Sequence, residues 1–501
     1  MARGGVLALA AALLGIFACV SRSDGQKVGE LRGTPRIPAQ FSEEERVGMK
    51  EAFKGAIQIP TVSFSHEESN TTALAEFGVY LRKVFPTVFS TGFVQHEVVG
   101  QYSHLLTVQG SDPSLQPYML LAHFDVVPAP EEGWEVPPFS GLERDGFIHG
   151  RGTLDNKNSV MAILQALELL LIRNYIPQRS FFISLGHDEE VSGLNGALKI
   201  SALLQTRGVK LAFLVDEGSF ILDGFIPSLK KPFAMVSVSE KGAVDLLLKV
   251  NMTPGHSSAP PKETSIGILS AAVSRLEKTP MPNMFGSGPL KMTLKQLANE
   301  FPFPTNMVLN NLWLFRPLVG RLLERNDVTN ALVRTTTALT MFNAGIKVNV
   351  IPSMAQATIN FRIHPAQTVH EVLELVKNIV ADDRVQLHVL RSFDPPPTSP
   401  SDDQAFGYQL LRHTIQSIFP EINIVAPGIS IANTDSRHYT NLTTGVYLFN
   451  PIYLQPQGFR SIHGLNEKIS VQAYETQVKF IFELIQNADT YKTSVPHQHE
   501  L

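Results

Sequence analysis

Acidic and histidine residues follow several short apolar runs of this sequence. They form the groups His123-Phe124-Asp125, His187-Asp188-Glu189-Glu190, Asp216-Glu217 and His463-Gly464-Leu465-Asn466-Glu467. A glycine-bent segment from Gly150 ends in a further carboxylate, Asp155. Two histidines and three carboxylates can hold two divalent ions without a thiol, and another carboxylate can then act as a base. The residue types therefore favour metal-assisted chemistry.

Each of these groups also has an ordinary structural explanation when it is taken alone. A His-x-Asp sequence is more often a local hydrogen-bonded pair, an acidic run is more often a solvated loop, and glycines mostly serve backbone geometry. Their joint occurrence after apolar runs favours a site, because open α/β sheets bind ligands at the carboxyl ends of their strands.

The apolar runs predict the elements that would position these groups. Residues 118–122, 181–185 and 211–215 are continuous apolar runs, with helical patterns at 159–172 and 196–206 between them. Such alternation is typical of a buried, largely parallel sheet with helices on both faces. We therefore predict an α/β fold with a mixed, largely parallel sheet.

The pattern changes in the middle of the chain, where polar and apolar residues alternate. We predict one domain at 25–237 and 366–501, interrupted by an inserted α+β domain at 238–365. The insert contains an apolar stretch, which predicts lid core, a dimer interface or a channel for an acyl chain: Phe301, Phe303, Met307, Leu309, Leu312, Trp313, Leu314, Phe315, Leu318 and Leu322.

Composition excludes several classes of function. The chain has 501 residues and a formal net charge of -4, with scattered cations, so it lacks a basic footprint for nucleic acid. Its one cysteine, Cys19, stands against 15 histidines. Thiolate nucleophiles, intrachain disulfides and multi-cysteine zinc sites are therefore excluded.

The first residues predict a secretory signal peptide at 1–24. Arg3 precedes an apolar run at 6–20, which is shorter than the roughly 20 residues of a membrane span. Cleavage near residues 20–25 would remove Cys19 and release an extracellular protein without a membrane anchor. The Asn-x-Thr sequences at Asn70, Asn251 and Asn441 fit a secreted glycoprotein.

Together these residues resemble the co-catalytic di-zinc metallopeptidases that include aminoacylase, carnosinase and glutamate carboxypeptidase-like enzymes. The resemblance covers nearly the whole mature chain and implies two Zn²⁺ ions per subunit. It implies that His123 and Asp216 bind one ion, that Glu190 and His463 bind the other, and that Asp155 bridges both.

The resemblance also implies roles for residues around the metals. Asp125 would orient the His123 ring, and Glu189 would be the general base. His256 would reach the partner subunit's site as an oxyanion donor, which implies a homodimer through the insert. Asn349 and Arg362 would hold the substrate's amide and carboxylate. Without the resemblance, these three would be surface or strand polar residues.

The resemblance further implies a catalytic domain with the insert as its lid and dimerisation domain. It implies a secreted hydrolase that cleaves N-fatty-acyl amino acids and also condenses fatty acids with amino acids, classed as a metalloprotease and lyase. Its partners would be these small molecules, with association to a lipoprotein or other lipid carrier. Two alternatives stay open: a secreted dipeptidase or aminoacylase with short substrates, and a non-catalytic carrier of lipidated amino acids.

Overall fold

The computed structural model describes residues 36–226 and 228–490. The predicted signal peptide therefore lies outside the described residues. Within these ranges, every helix is too short or too polar to cross a membrane.

The helices of the described chain alternate with strands over most of its length. They are α1 (Glu43–Ile57), α2 (Thr71–Val84), α3 (Pro86–Ser90), α4 (Lys157–Ile172), α5 (Ala197–Thr206), α6 (Ser265–Lys278), α7 (Leu290–Leu297), α8 (Thr305–Asn310), α9 (Leu312–Leu323), α10 (Asp327–Val333), α11 (Val369–Val380), α12 (Phe406–Ile418), α13 (Pro456–Ser461) and α14 (Val471–Thr490). Short 3₁₀ turns lie at Glu189–Val191, Ala298–Glu300 and Asp435–Tyr439.

The strands form a large mixed sheet, a four-stranded sheet and two small sheets. They are β1 (Val94–Val99), β2 (Ser103–Val108), β3 (Tyr118–His123), β4 (Leu142–Arg144), β5 (Phe147–His149), β6 (Phe181–Gly186), β7 (Leu214–Asp216), β8 (Ile221–Leu222), β9 (Phe233–Glu240), β10 (Gly242–Asn251), β11 (Gly255–His256), β12 (Thr336–Ala344), β13 (Val350–Ile351), β14 (Met354–Ile363), β15 (Gln386–Phe393), β16 (Val425–Ser430), β17 (Val446–Leu448), β18 (Tyr453–Leu454) and β19 (Lys468–Ser470).

The large sheet has the strand order β1-β2-β6-β3-β7-β17-β9-β8-β18, and β16 also pairs with β9. Its centre is parallel, because β3 pairs in parallel with both β6 and β7, and β7 pairs in parallel with β17. All residues of β3 and β6 are buried, as expected for strands covered on both faces. The predicted α/β fold with a mixed sheet is confirmed.

Two long helices contribute to the core on which the large sheet packs. Helix α4 is almost entirely buried, and α14 packs along it. The stacked rings of Phe53 and Tyr474, 4.3 Å apart between centroids, join α1 to α14 within the same core. These helices and the large sheet therefore share one hydrophobic core next to the sheet edge where the polar groups lie.

The four-stranded sheet has the order β12-β14-β10-β15 and is antiparallel throughout. Helices α6 and α11 cover one face, with an apolar core of their own. In the structure the insert spans residues 242–393. It continues past residue 365, the end predicted from the sequence, because β15 pairs with β10 at one edge of this sheet and α11 packs on its face. The two ends of the insert adjoin, since Ala243 pairs with Phe393.

The apolar stretch around α8 and α9 divides between core and surface. Phe301, Leu309 and Leu312 are buried in a cluster that also contains residues of β9 and β16, so this part packs on the large sheet. Phe303 and Trp313 are 76% and 79% exposed, and other members of the predicted stretch are exposed with them: Met307, Leu314, Leu318 and Leu322.

Candidate metal centre

Parallel strands bring the predicted site residues to one edge of the large sheet. His123 is the last residue of β3 and pairs with Gly186, the last residue of β6. The third strand, β7, ends at Asp216 beside them. Because the carboxyl ends of parallel strands meet at the same edge, residues distant in sequence become neighbours.

The ring of His123 is the centre of one carboxylate group. Its Nε2 atom lies 3.0 Å from Asp155 Oδ1, 2.9 Å from Glu217 Oε1 and 3.9 Å from Glu189 Oε2. The ring is almost fully buried, so these oxygens face it in a region shielded from solvent. An imidazole nitrogen among carboxylate oxygens is a set of ligands that zinc prefers.

A second group forms around His463, which follows α13. Its Nε2 atom lies 3.0 Å from Asp155 Oδ2 and 3.1 Å from Glu190 Oε2. The two oxygens of Asp155 therefore face two different histidines, Oδ1 towards His123 and Oδ2 towards His463. This is the geometry that a carboxylate bridging two ions requires.

Asp125 links the His123 ring to the turn that carries both glutamates. His123 Nδ1 lies 3.0 Å from the Asp125 carbonyl oxygen and 3.3 Å from its carboxylate. The same carboxylate accepts hydrogen bonds from the amides of Glu189 and Glu190, at 3.0 and 3.2 Å, and from the hydroxyl of Ser63, at 2.8 Å. Asp125 thus positions the imidazole and the turn together.

The loop that carries Asp155 is held by Glu467, a residue of the last sequence group. Glu467 Oε1 accepts hydrogen bonds from the amides of Leu154 and Asp155, at 2.6 and 3.2 Å. Its other oxygen accepts a bond of 2.6 Å from Arg151, and both side chains are buried. The buried ion pair therefore fixes the direction of the bridging carboxylate.

Glu217 lies closer to the His123 ring than Asp216, the ligand that the resemblance implies. The Asp216 carboxylate accepts hydrogen bonds from the amides of Glu217 and Ser436, at 2.9 and 3.0 Å, so it is turned towards backbone. Glu217 is one residue beyond the strand and one methylene longer, and it reaches His123. Glu217 is therefore a second candidate ligand, and the role of Asp216 stays a prediction. Both acids stand after the same apolar run, so sequence alone did not separate them.

The electrostatics of the cluster favour cations. Burial and the charge of the Asp155 carboxylate raise the pKa of Glu190 to about 7 and that of Glu217 to about 8. Hydrogen bonds to Asp155 and Glu190 raise the pKa of His463 to about 10. Within the part of the chain that the structure describes, Glu190 Oε1 is buried without a hydrogen-bond partner. Divalent ions would supply the missing positive charge and a partner for that oxygen, so these residues fit a metal centre.

The three predicted residues of the insert lie outside this cluster. His256 is exposed, and its Nδ1 atom accepts a hydrogen bond of 3.1 Å from the Ser258 amide. Asn349 is exposed in the turn before β13. Arg362, on β14, is half-buried and donates a bond of 2.5 Å to Asn433 of the large-sheet region. Of the three, Arg362 contacts the part of the chain that carries the cluster.

Sequence reasoning missed Asp435, which lies buried against the Glu189–Val191 turn. A Cβ atom at Gly193, whose φ is +65°, would meet Asp435 Oδ1 at 2.0 Å, so only glycine fits there. Burial raises the pKa of Glu189 well above its usual value, although the charge of His123 opposes this increase. The negative charge of Asp435 contributes to the increase. The glycine after the acidic run was the available signal for this close approach.

A mixed α/β sheet that gathers histidines and buried carboxylates at its carboxyl edge defines a metal-dependent hydrolase. The chain matches the model of peptidase family M20/M25/M40 over residues 119–487. A crystal structure of an M20 family metallo-carboxypeptidase from Sulfolobus solfataricus superposes with a TM-score of 0.63 at 17% identity, covering 89% of this chain and 100% of that one.

The chain belongs to peptidase family M20/M25/M40, which confirms the resemblance. An N-fatty-acyl-amino acid synthase/hydrolase of Bos taurus is 78% identical over 504 residues, covering 100% of both chains. The protein of that description from Homo sapiens is 74% identical over 496 residues, covering 99% of both. Both relatives are described as a synthase and hydrolase, which does not support the expected lyase class.

We expect metal analysis to separate Glu217 from Asp216. Glu217→Gln should lower the bound divalent metal by one ion per chain if Glu217 is a ligand, because a neutral amide is a poor metal ligand. The matched variant Asp216→Asn should keep its metal and lose only roughly 1–2 kcal/mol of stability from a weakened hydrogen bond. Elemental analysis and thermal unfolding of both purified variants test this. Metal loss in Asp216→Asn with full occupancy in Glu217→Gln would restore the original assignment.

Proposed function

We propose that this protein hydrolyses N-fatty-acyl amino acids and, in reverse, condenses fatty acids with amino acids. The observation that carries this proposal is the match along 99% and 100% of the chain to relatives described as N-fatty-acyl-amino acid synthase/hydrolases, at 74% and 78% identity. The site supports it, because a buried glutamate, Glu189, lies beside the ligand cluster in addition to the residues needed to hold ions. A simple carrier has no need of such a group.

We assign the metal ligands from their distances. His123, Asp155 and Glu217 would hold one Zn²⁺, and Asp155, Glu190 and His463 would hold the other. Such ions, when bound, lower the pKa of a coordinated water and polarise a carbonyl group.

Glu189 is the proposed general base. Burial raises the pKa of its carboxyl well above the usual value, so this carboxylate binds a proton more readily than an exposed glutamate does, as a general base must. It accepts the proton of the attacking water and passes it to the nitrogen that leaves as the amide bond breaks. In condensation the same carboxyl group moves the proton in the opposite direction, so the residues permit both reactions.

Substrate recognition is assigned to the insert. The guanidinium of Arg362 suits the free carboxylate of an amino acid, since its planar fork bonds both oxygens. Asn349 is assigned to the amide. The exposed apolar side chains around Trp313 provide surface for a long acyl group or for a lipid carrier. Burying each additional CH₂ is worth about 0.8 kcal/mol, so long acyl chains would bind better than short ones.

We expect Glu189→Gln to lower kcat by roughly 10³-fold while Zn²⁺ stays bound, because the amide keeps its size but accepts no proton. Turnover of an N-fatty-acyl phenylalanine, its acetyl analogue and a dipeptide, with metal analysis of the variant, tests both residue and substrate class. A preference for the dipeptide or acetyl substrate would establish the short-substrate alternative. Full turnover by Glu189→Gln would refute its role as base.

We propose that the protein is a homodimer in which His256 completes the partner's site. Strand β12 is at an edge of the insert's sheet, and its residues Met341 and Phe342 are exposed, which suits pairing with a second copy. His256 is likewise exposed and free of contacts with the ligand cluster of its own described chain.

Co-expression tests the shared site. His256→Ala should lower kcat by roughly 10²-fold if its imidazole stabilises the oxyanion, whereas the exposed control His370→Ala should not. Mixing His256→Ala with Glu189→Gln chains should restore about a quarter of the wild-type rate, since half of the random dimers would carry one intact site. Absence of recovery in a confirmed mixed dimer would place His256 outside the partner's site.

We propose that the protein is secreted and glycosylated. Asn251 and Asn441 are exposed, whereas Asn70 caps α2 through a 3.2 Å bond from the Ala73 amide. Expression in animal cells should place the protein in the medium with its first residue between 20 and 25, and glycosidase treatment should reduce its mass. Retention in the cell with an intact first residue would contradict this.

A further inference from the structure

Ser192, two residues after Glu190, is held from both the insert and the main body of the chain. Arg391, on β15 of the insert, donates a hydrogen bond of 2.6 Å to Ser192 Oγ. Arg437 and His438 donate bonds of 2.7 and 2.9 Å to the Ser192 carbonyl oxygen. Three cationic or polar side chains thus converge on one residue of this turn.

This turn is too short to absorb a displacement of Ser192. The Ser192 amide donates to the Glu189 carbonyl oxygen at 2.8 Å, and the Gly193 amide donates to that of Asp188 at 2.7 Å. Ser192 has a φ of 92°, in the left-handed region that few residues adopt. A change in the position of Ser192 therefore changes that of Glu189 as well.

Arg391 is itself fixed within the insert. Its Nε atom donates a bond of 3.0 Å to Asp245 Oδ2, on the neighbouring strand β10. The other oxygen of Asp245 accepts a bond of 2.6 Å from Asn360, on β14. The guanidinium therefore moves with the sheet of the insert, and its bond to Ser192 joins the insert to the catalytic turn.

The charges around this contact relate it to substrate. Burial and the charges of Arg391 and Arg437 lower the pKa of Arg362, so these cations lie near one another. Cations from the insert and the main body repel one another, so an anion bound between them would stabilise their contact. The free carboxylate of an N-acyl amino acid is such an anion.

We propose that Arg391 is a positioning residue that couples binding of the substrate's carboxylate at the insert to placement of the turn carrying Glu189 and Glu190. The proposal rests on the proposed function for the reaction that this placement serves. Arg391 contacts neither the ligand cluster nor the reacting atoms. It acts through Ser192.

The test uses the full-length, metal-loaded protein. Arg391→Met keeps the length of the side chain but removes the donor, and Ser192→Gly removes the acceptor hydroxyl while tolerating the left-handed backbone. Arg384→Met is the matched control, since Arg384 is an exposed insert arginine paired with Asp382 and Glu263. The probe is a ketomethylene analogue of an N-fatty-acyl phenylalanine, compared with its carboxamide.

We expect Arg391→Met and Ser192→Gly each to lower kcat roughly tenfold with little change in KM, and the double variant to cost no more than either. Hydrogen exchange of a peptide spanning 188–193 should be faster in both variants than in wild type. The acid analogue should slow this exchange in wild type and in Arg384→Met, but not in Arg391→Met, and the carboxamide should have little effect.

Wild-type kcat and wild-type exchange in Arg391→Met would overturn the proposal, as would additive effects in the double variant. Equal slowing by acid and carboxamide would overturn the link to the substrate carboxylate. Failure of the proposed function is recognised separately. If wild type cleaves only dipeptides, kcat is measured on those, and exchange in the ligand-free variants still tests the contact between Arg391 and Ser192.

Discussion

The unbalanced negative charge in the ligand cluster is the constraint on which the rest of the site depends. More carboxylates than imidazoles are buried at the sheet edge, and burial raises the pKa of both Glu190 and Glu217. Ionising them without a counter-charge is costly, because a low-dielectric interior stabilises isolated charges poorly. Bound cations would therefore supply the counter-charge that lets the carboxylates at this edge ionise together.

Rigid support makes such a site useful. The Asp125 carbonyl oxygen lies within hydrogen-bond distance of the His123 imidazole, and the Asp125 carboxylate accepts a hydrogen bond from the Glu189 amide. Glu467 accepts a hydrogen bond from the Asp155 amide and so holds the loop of that residue. These supports come from different segments of the chain but converge within one sheet edge. Displacing either would misplace several functional atoms at once, which is why buried supporting residues matter as much as the ligands.

The sequence predicted the large sheet well, because the apolar runs of β3 and β6 are long, continuous and buried on both faces. It also predicted which polar groups gather, since they directly follow those strands. It did not distinguish the Asp216 side chain from that of Glu217 as the nearer neighbour of His123, because the direction of the Asp216 carboxylate depends on a hydrogen bond from the distant Ser436 amide. The roles of Asp435 and Arg391 depend on contacts across more than 190 residues, which no local pattern records.

The adjoining ends of the insert have a consequence for how this architecture can diversify. Where a segment leaves and rejoins its host at paired neighbours such as Ala243 and Phe393, its length and content can change with little effect on the closure of the host chain. The proposed metal ligands lie in the host, whereas Arg362 and Arg391 lie in the segment. Under these assignments, substrate preference can be exchanged between descendants as a module while the hydrolytic chemistry is inherited unchanged.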